Sequence, residues 1–379
     1  MDNKKMITKT PNRAKTTKIM LVLALSLVLC VMMAMLVGCS NPANTTEDPD
    51  QGLEFIVPAG EPDPDFGLNG ETPTALEYFK YEEIEDGTIA ITGTFTQISE
   101  LKKVVIPAVI DGKKVSRLYD SALATLYNME EVVVSGYVVD IRPYAFRDCW
   151  KLKTVKLPAN VLRLSEGAFQ GCKSLKDLSF LVPSIKVFGA RCFEGCESLE
   201  TANIPDTVTT IGEYAFLNCK VLSAVKFPAG IKAIPNRMFQ GCIALDKTIG
   251  DETFVFPSTI KTIGEYAFAG AKFKPLVLNE GLEVIGKNAF SGCPRVREIV
   301  IPNSVKTIGD NAFENCTLIK DVTMPMVDTM TIGKNIFEND KKIVNIKVKA
   351  GSTAETYCRE WAEKVKTLND YAEITVVTQ

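Results

Sequence analysis

Hydrophobic and polar residues alternate along most of this chain in a short unit that predicts β-strands. In residues 298–320, Ile299 and Ile301 are separated by one residue, the period of a strand with one buried face. Pro302 ends this strand, because proline has no amide hydrogen to offer a neighbouring strand. A second short extended segment follows, and Gly309 permits the tight bend after it.

The last part of the same unit has a helical spacing. Ala312, Phe313, Cys316 and Ile319 fall at positions i, i+1, i+4 and i+7, which is the inner stripe of a brief helix. We therefore expect the wall opposite the first strand to consist of short helices or turns.

The unit recurs with an aromatic marker that usually follows an alanine. Leu123 holds the marker position in the first unit, and the later markers are Phe146, Phe169, Phe193, Phe216, Phe239, Phe268, Phe290, Phe313 and Phe337. They are 22 to 24 residues apart, except for one interval of 29 between Phe239 and Phe268. A fixed period in the twenties indicates a solenoid, in which each unit packs only on its neighbours. The predicted fold is an α/β-type solenoid of about ten coils with a parallel sheet.

The repeated pattern V-x-I-P-x-x-V-x-x-I-G-x-x-A-F-x-x-C-x-x-L resembles the BspA-like leucine-rich repeats of bacterial surface proteins. The resemblance covers about residues 101–344, and it implies a leucine-rich-repeat superhelix. It also implies adhesion to protein or glycan ligands, since that family is associated with binding host matrix proteins and other cells. Departures are local: Ala271 replaces cysteine, Asn279 replaces proline, and residues 247–252 form an insertion.

Segments outside the repeats complete the expected domain order. The predicted segments are a signal peptide over 1–38, an acidic Pro/Gly-rich tether over 39–75, an N-terminal β cap over 76–115, BspA-like repeats over 116–344 and a C-terminal helix–strand cap over 345–379. In the last of these, Ser352 precedes a helical pattern and residues 374–377 form a strand pattern.

The amino terminus has the pattern of a bacterial lipoprotein signal. Six basic residues precede residues 19–37, which carry no charge, and Leu36-Val37-Gly38-Cys39 resembles a lipobox. This resemblance implies cleavage before Cys39 and acylation of its thiol and amino group. The alternative is an uncleaved transmembrane anchor, since about 20 apolar residues can span a bilayer. Both interpretations place the repeats outside the cytoplasmic membrane, and the first anchors them to its outer face by lipid.

Charge argues against one class of partner. Beyond residue 38 the chain has 37 basic and 45 acidic residues, a net charge of −8. An acidic domain is a poor match for nucleic acid. We expect a monomer that binds an extracellular protein or glycan, with membrane contact only through the anchor.

Cysteines recur three residues after the marker phenylalanine, at most one in each coil. A ladder of this kind points its thiols in parallel, so we expect buried unpaired thiols and no disulfides. Cys192 and Cys196 lie four residues apart and could form a metal or redox pair, but two small core residues are the simpler interpretation.

The chain contains no histidine, which excludes Ser-His and Cys-His nucleophiles and histidine-based zinc catalysis. A mechanism based on carboxylates alone, as in glycoside hydrolysis, stays open, yet no pair of acids stands out. We therefore predict a non-catalytic protein without cofactor or metal. The alternatives are a passive spacer of the cell envelope and an unrecognised carboxylate enzyme.

One candidate binding patch emerges from the strand pattern. The residue between two inward apolar positions of each strand faces solvent, and in three consecutive coils that residue is Val255, Val277 or Val300. Valines can be mere strand formers. A contiguous exposed apolar stripe is also where a protein partner gains most from burial, so we predict these three residues in the recognition face.

Overall fold

The computed structural model describes residues 72–368 and 370–379, which fold as a solenoid of short parallel strands. The predicted signal peptide, Cys39 and most of the predicted tether lie outside the described residues. Most coils contribute one strand to a first sheet and one to a second sheet, and a wall of turns closes each coil. The predicted solenoid with a parallel sheet is confirmed.

The described chain begins with a small β unit that covers one end of the coils. Strands Phe79–Glu83 and Ile89–Thr94 pair antiparallel, and the second also pairs in parallel with Lys113–Leu118. Val109–Ile110 turns back on Lys113–Leu118 through Asp111 and Gly112, both with the positive φ that a two-residue hairpin turn favours. Short 3₁₀ turns cover Leu76–Tyr78 and Thr96–Glu100.

The first sheet follows the V-x-I part of the repeat. Its strands are Lys103–Val105, Glu131–Val133, Thr154–Lys156, Thr201–Asn203, Ala224–Lys226, Lys247–Thr248, Glu298–Val300, Asp321–Thr323, Asn345–Val348 and Thr375–Thr378. They form three groups, separated near residue 178 and between residues 249 and 297. Near residue 178 the coil has one residue more than its predecessor, and the Asp177 carboxylate accepts a hydrogen bond from the Ser179 amide at 2.8 Å. This turn takes the place of a strand.

The second sheet follows the x-x-I-G part of the repeat. It runs from Ile89–Thr94 and Lys113–Leu118 through Asp140–Ile141, Arg163–Leu164, Val187–Phe188 and Thr210–Ile211, and resumes with Ala233–Ile234, Thr262–Ile263, Val284–Ile285, Thr307–Ile308 and Thr331–Ile332. The division has a chemical cause. Gly212 donates its amide to the carbonyl of Phe188 at 2.8 Å, but Pro235 in the next coil has no amide hydrogen to donate.

The wall opposite the first strand consists of turns, which is one of the two expected alternatives, and no helix forms around Ala312 and Phe313. Each coil has a left-handed residue two positions before the marker and another two positions after it. Around Phe313 these are Asn311 (φ 56°) and Asn315 (φ 62°). A right-handed helix cannot continue through such residues, so consecutive turns form instead. Coil-to-coil bonds satisfy their amides, as between Phe216 N and the Met238 carbonyl at 2.9 Å.

The core is a column of stacked rings. The marker phenylalanines from Phe146 to Phe337 are fully buried, and successive ring centroids lie 5.0 to 6.1 Å apart. Glycines such as Gly309 let successive coils approach closely. A Cβ on Gly309 would lie 2.4 Å from the Lys287 amide nitrogen, so close contact between coils excludes a side chain there, rather than a positive φ.

The carboxyl end of the solenoid is capped as the sequence predicted. Helix α1, Thr353–Lys366, begins after Ser352, whose hydroxyl accepts a hydrogen bond from the Glu355 amide at 3.1 Å. Its buried face places Trp361 5.7 Å from the ring of Phe337, at the end of the phenylalanine column. The final strand, Thr375–Thr378, then pairs in parallel with Asn345–Val348.

Candidate binding surfaces of the repeat array

The three valines singled out by the strand pattern are exposed on the wall of the first sheet: Val300 lies in a strand, while Val255 and Val277 form an isolated bridge where that sheet is interrupted. Val255, Val277 and Val300 are 49%, 58% and 51% exposed. Val255 and Val277 pair directly as a parallel bridge, so their side chains are neighbours. The expected exposure is therefore confirmed, while a role in recognition stays a prediction. We call these residues the valine stripe.

Polar residues adjoin the valine stripe on its carboxyl-terminal side. Val300 pairs with Thr323, and the next strand places the exposed Lys347 beside Thr323. The equivalent outward position is not exposed in every coil, since Val133 near the amino-terminal end is completely buried. The stripe is thus a local feature of three coils.

A second surface lies on the turn wall, at the left-handed position two residues before the marker. Arg191 lies over the ring of Tyr214 at 4.3 Å, and Arg237 lies between the rings of Tyr214 and Tyr266, at 5.8 and 4.5 Å. In an earlier coil the hydroxyl of Tyr144 donates a hydrogen bond to Glu166, and burial is the largest cause that raises the pKa of Tyr144 to about 12. These side chains form a tyrosine–arginine ladder.

The ladder has a structural explanation. Bulky residues with positive φ are strained, and Tyr214 (φ 61°) and Arg237 (φ 55°) are both in that region. Cation–π contacts between neighbouring coils offset part of that strain. Later coils place Asn288, Asn311 and Asn335 at this position instead, and asparagine tolerates the conformation well.

A third surface occupies the position that follows the cysteine slot. Tyr127 and Trp150 occupy it in successive coils, with their ring centroids 4.2 Å apart and their planes tilted by 35°. They are 43% and 44% exposed. The ammonium group of Lys173, in the next coil, lies 5.5 Å from the centroid of Trp150. The repeat pattern did not predict this pair. The sequence feature that could have indicated it is a tryptophan directly after an inward cysteine.

The cysteines three residues after the markers are buried and hydrogen-bonded to the main chain, and together they form a cysteine ladder. Each thiol of this ladder donates a hydrogen bond to the main-chain carbonyl of the marker residue one coil earlier, as from Cys172 to Phe146 at 3.2 Å. The nine cysteines of the described residues are buried and unpaired. Burial is the largest cause that raises the pKa of Cys192 and Cys196 well above that of a free thiol. Among residues 72–368 and 370–379, no three potential ligands group to hold a metal ion.

One coil carries a carboxylate in the cysteine slot. Asp340 follows Phe337 by three residues and is completely buried. Burial is the largest cause that raises its pKa to about 8, and the charges of Glu314 and Glu338 add to the effect. At neutral pH the carboxyl is therefore mostly protonated and, like the thiols, can donate a hydrogen bond.

The repeat pattern and this fold agree with the comparison to known families. The profile of the BspA type leucine-rich repeat region matches six copies, over residues 80–149, 116–246 and 246–359. The chain belongs to the BspA-type leucine-rich repeat family. No curated protein matches the chain.

A solved leucine-rich repeat structure shows the same fold, and others are similar over part or most of their length. A leucine-rich repeat protein from Bacteroides ovatus is 19% identical with a TM-score of 0.52, and the match covers 81% of this chain and 99% of that one. A T. pallidum leucine-rich repeat protein is 27% identical over 52% of this chain and 89% of its own, with a TM-score of 0.46. A leucine-rich cell surface protein from Faecalibacterium prausnitzii is 19% identical over 81% and 100%, with a TM-score of 0.36.

Proposed function

We propose that this BspA-type protein is a surface lipoprotein whose repeats bind an extracellular protein or glycan without catalysis. The observation that carries the proposal is the valine stripe, an exposed apolar surface on the outside of the solenoid. Burying exposed apolar area supplies much of the free energy of protein association. Repeat families of this type are generally not enzymes, which favours binding over chemistry.

The surface location is supported by the amino-terminal sequence. The charged, apolar and small-residue segments that end at Cys39 have the order of a lipoprotein signal. Several acyl chains on Cys39 would give lasting attachment, where one chain gives only marginal binding. The described part of the chain holds no helix with the length and hydropathy needed to span a bilayer.

The anchor is tested with Cys39→Ala, expressed in a bacterium that processes lipoproteins. The variant should keep the precursor length and lack acyl chains in mass spectrometry, whereas the wild type should begin at an acylated Cys39. A wild-type amino terminus elsewhere, or an unmodified Cys39, would refute the lipid anchor. An intact precursor held in the membrane would instead indicate the transmembrane alternative.

Binding is tested by screening the full chain, purified in detergent, against extracellular matrix proteins and glycans. The ligand found is then measured against the triple variant Val255→Lys, Val277→Lys and Val300→Lys. A matched control places the same three charges at the exposed Val109, Val221 and Ile243. We expect the stripe variant to lose at least about tenfold in affinity, because each lysine replaces buried apolar area with a charge.

The outcomes separate the candidate functions. Loss with the stripe variant alone, with circular dichroism unchanged, supports the valine stripe as the recognition face. Equal binding by both variants excludes the stripe but leaves the binding function. No ligand in any screen would favour a passive spacer of the envelope. Turnover of a glycan that a carboxylate substitution removes would make the protein an enzyme.

A further inference from the structure

Tyr127, Trp150 and Lys173 form an exposed surface, the Trp150 platform, whose composition differs from the valine stripe. Its two rings stack across adjacent coils and keep nearly half of their surface open to solvent. An exposed tryptophan leaves much apolar area in contact with water, because an aromatic side chain can bury about 150–250 Å². The platform therefore gains free energy from any partner that covers its rings.

Two lysines accompany the rings: Lys173 lies over Trp150, and Lys151 follows Trp150 in the sequence. Lys151 is exposed next to Trp150, and its ammonium group donates to the side-chain carbonyl oxygen of Asn128 at 2.9 Å. Lys173 pairs with Glu197 at 3.7 Å, but both side chains are about half exposed and such pairs contribute little. Both lysines are thus able to exchange these contacts for an anionic partner.

The charge of the surrounding coils favours the same partner. Residues 101–186 contain 14 basic and 8 acidic residues, although the chain beyond residue 38 has a net charge of −8. Acidic side chains near the platform are already paired: Glu130 lies 2.9 Å from Lys153 and 3.5 Å from Lys102. The platform therefore lies in the locally basic part of an acidic protein, where an anion is attracted.

We propose that the Trp150 platform binds an acidic polysaccharide. Sugar rings pack their apolar C–H face on Trp150 and Tyr127, while carboxylate or sulfate groups of the same chain pair with Lys151 and Lys173. This inference rests on the proposed binding function and names the class of ligand for one surface.

Other partners fit the platform less well. A peptide anchor is held best in a desolvated pocket, whereas these two rings stand on the outside of the turn wall. Single-stranded nucleic acid also stacks on aromatic rings, but it needs a basic groove that follows its backbone. The row beyond Lys173 alternates in charge instead, because Glu197 pairs with Lys220 at 3.6 Å.

The test uses the full chain in detergent and four polymers. Alginate carries carboxylates, heparin also carries sulfates, dextran is neutral, and poly(dT) is a single-stranded nucleic acid. Interferometry should show binding of alginate or heparin that weakens with salt, and at least about tenfold weaker binding of dextran. The stronger of the two anionic polymers shows which group the lysines select.

Variants assign the binding to the platform. Trp150→Ala should weaken binding about tenfold, and Trp150→Phe should keep most of it because a ring remains. The double variant Lys151→Ala and Lys173→Ala should reduce both the affinity and its salt dependence. Ile243→Ala is the matched control, since Ile243 is an exposed apolar residue at the same position of a later coil.

Several results would overturn the inference. They are failure of both acidic polysaccharides to bind, equal binding of dextran, equal or tighter binding of poly(dT), or unchanged binding by Trp150→Ala. If the polysaccharides fail but a matrix protein binds, the platform inference is wrong and the proposed binding function stands. If neither binds, both fail.

Discussion

The thiol of Cys219 donates a hydrogen bond to the main-chain carbonyl of Phe193, one coil earlier, at 3.2 Å. The same contact recurs from Cys242 to Phe216 and from Cys316 to Phe290. A small side chain that fills the core and still donates a hydrogen bond suits this position, because the acceptor carbonyl is buried. The cysteine ladder is thus part of the coil-to-coil bonding rather than a disulfide framework.

This contact predicts that the ladder thiols are unreactive. Burial raises the pKa of Cys149 to about 12 and that of Cys172 well above the ordinary value, so the nucleophilic thiolate is scarce at pH 8. Iodoacetamide should leave the nine cysteines of the described residues unmodified in the native chain and label them after unfolding. Mass spectrometry of tryptic peptides measures this. Rapid native labelling of Cys219 would show that the ladder is open to solvent.

The phenylalanine column predicts a large loss on truncation. Phe216 stacks on Phe193 and Phe239, at 5.4 and 5.5 Å, and has no exposed surface. Phe216→Ala should lower the free energy of unfolding by roughly 3 to 5 kcal/mol. Because each coil stabilises its neighbours, hydrogen exchange should also quicken in both adjacent coils. Phe95→Ala, at an exposed ring, is the control, and a loss below about 1 kcal/mol for Phe216→Ala would contradict the buried column.

Close approach of successive coils predicts a second effect on stability. In Gly309→Ala the new methyl group would lie 2.4 Å from the Lys287 nitrogen, so the backbone must shift. We expect a loss of roughly 1 to 3 kcal/mol in chemical denaturation. Gly230→Ala is the matched control because nothing lies within 4 Å of its added Cβ. Equal effects of the two substitutions would show that close packing does not explain the glycine at position 309.

Asp340 predicts a dependence of stability on pH. Its pKa is about 8 in the folded chain, compared with an ordinary value of 3.8, so the folded state holds the proton more tightly. This contribution is complete below about pH 4, falls by at most about 1.4 kcal/mol per pH unit, and is lost above pH 8. Asp340→Asn removes it, so the variant should gain stability relative to the wild type as pH rises.

Urea denaturation between pH 5.5 and pH 9 measures this difference. The gap between Asp340→Asn and wild type should widen up to about pH 8 and then stay constant. Asp251→Asn, which changes an exposed carboxylate, controls for the loss of a charge. A constant gap across the range would show that Asp340 is already ionised in the folded chain.

The fold was predictable because many copies of one unit repeat the same pattern of buried positions at a nearly fixed period. Alternation around Ile299 and the inward Phe313 both hold in the structure. The choice between helices and turns in the opposite wall stayed open, because spacing alone cannot distinguish a helix from consecutive turns. The sequence did contain a signal for turns. A Gly, Asn or Asp follows each marker phenylalanine by two residues, as Asn315 follows Phe313. These residues favour positive φ, which stops a helix.

The candidate surfaces were only partly predictable. Strand alternation placed Val277 outward, because a strand has a strict period of two. The Trp150 platform depends on the rings of Tyr127 and Trp150 meeting across two coils in the turn wall, and no period in the sequence gives the direction of a side chain there. Likewise, the second sheet is interrupted at Pro235 because proline has no amide hydrogen. The sequence alone does not show that a hydrogen bond to the preceding coil is needed at this position.

The two sheets are interrupted at different coils. Where Pro235 divides the second sheet, Thr201–Asn203 and Ala224–Lys226 still pair in the first. Where the first sheet is interrupted near Asp177, Arg163–Leu164 and Val187–Phe188 still pair in the second. A pulling force along the axis would therefore meet intact strand pairing on one wall at each interruption. If the chain is anchored at one end and binds a ligand as proposed, such a force would meet no coil at which both sheets are interrupted.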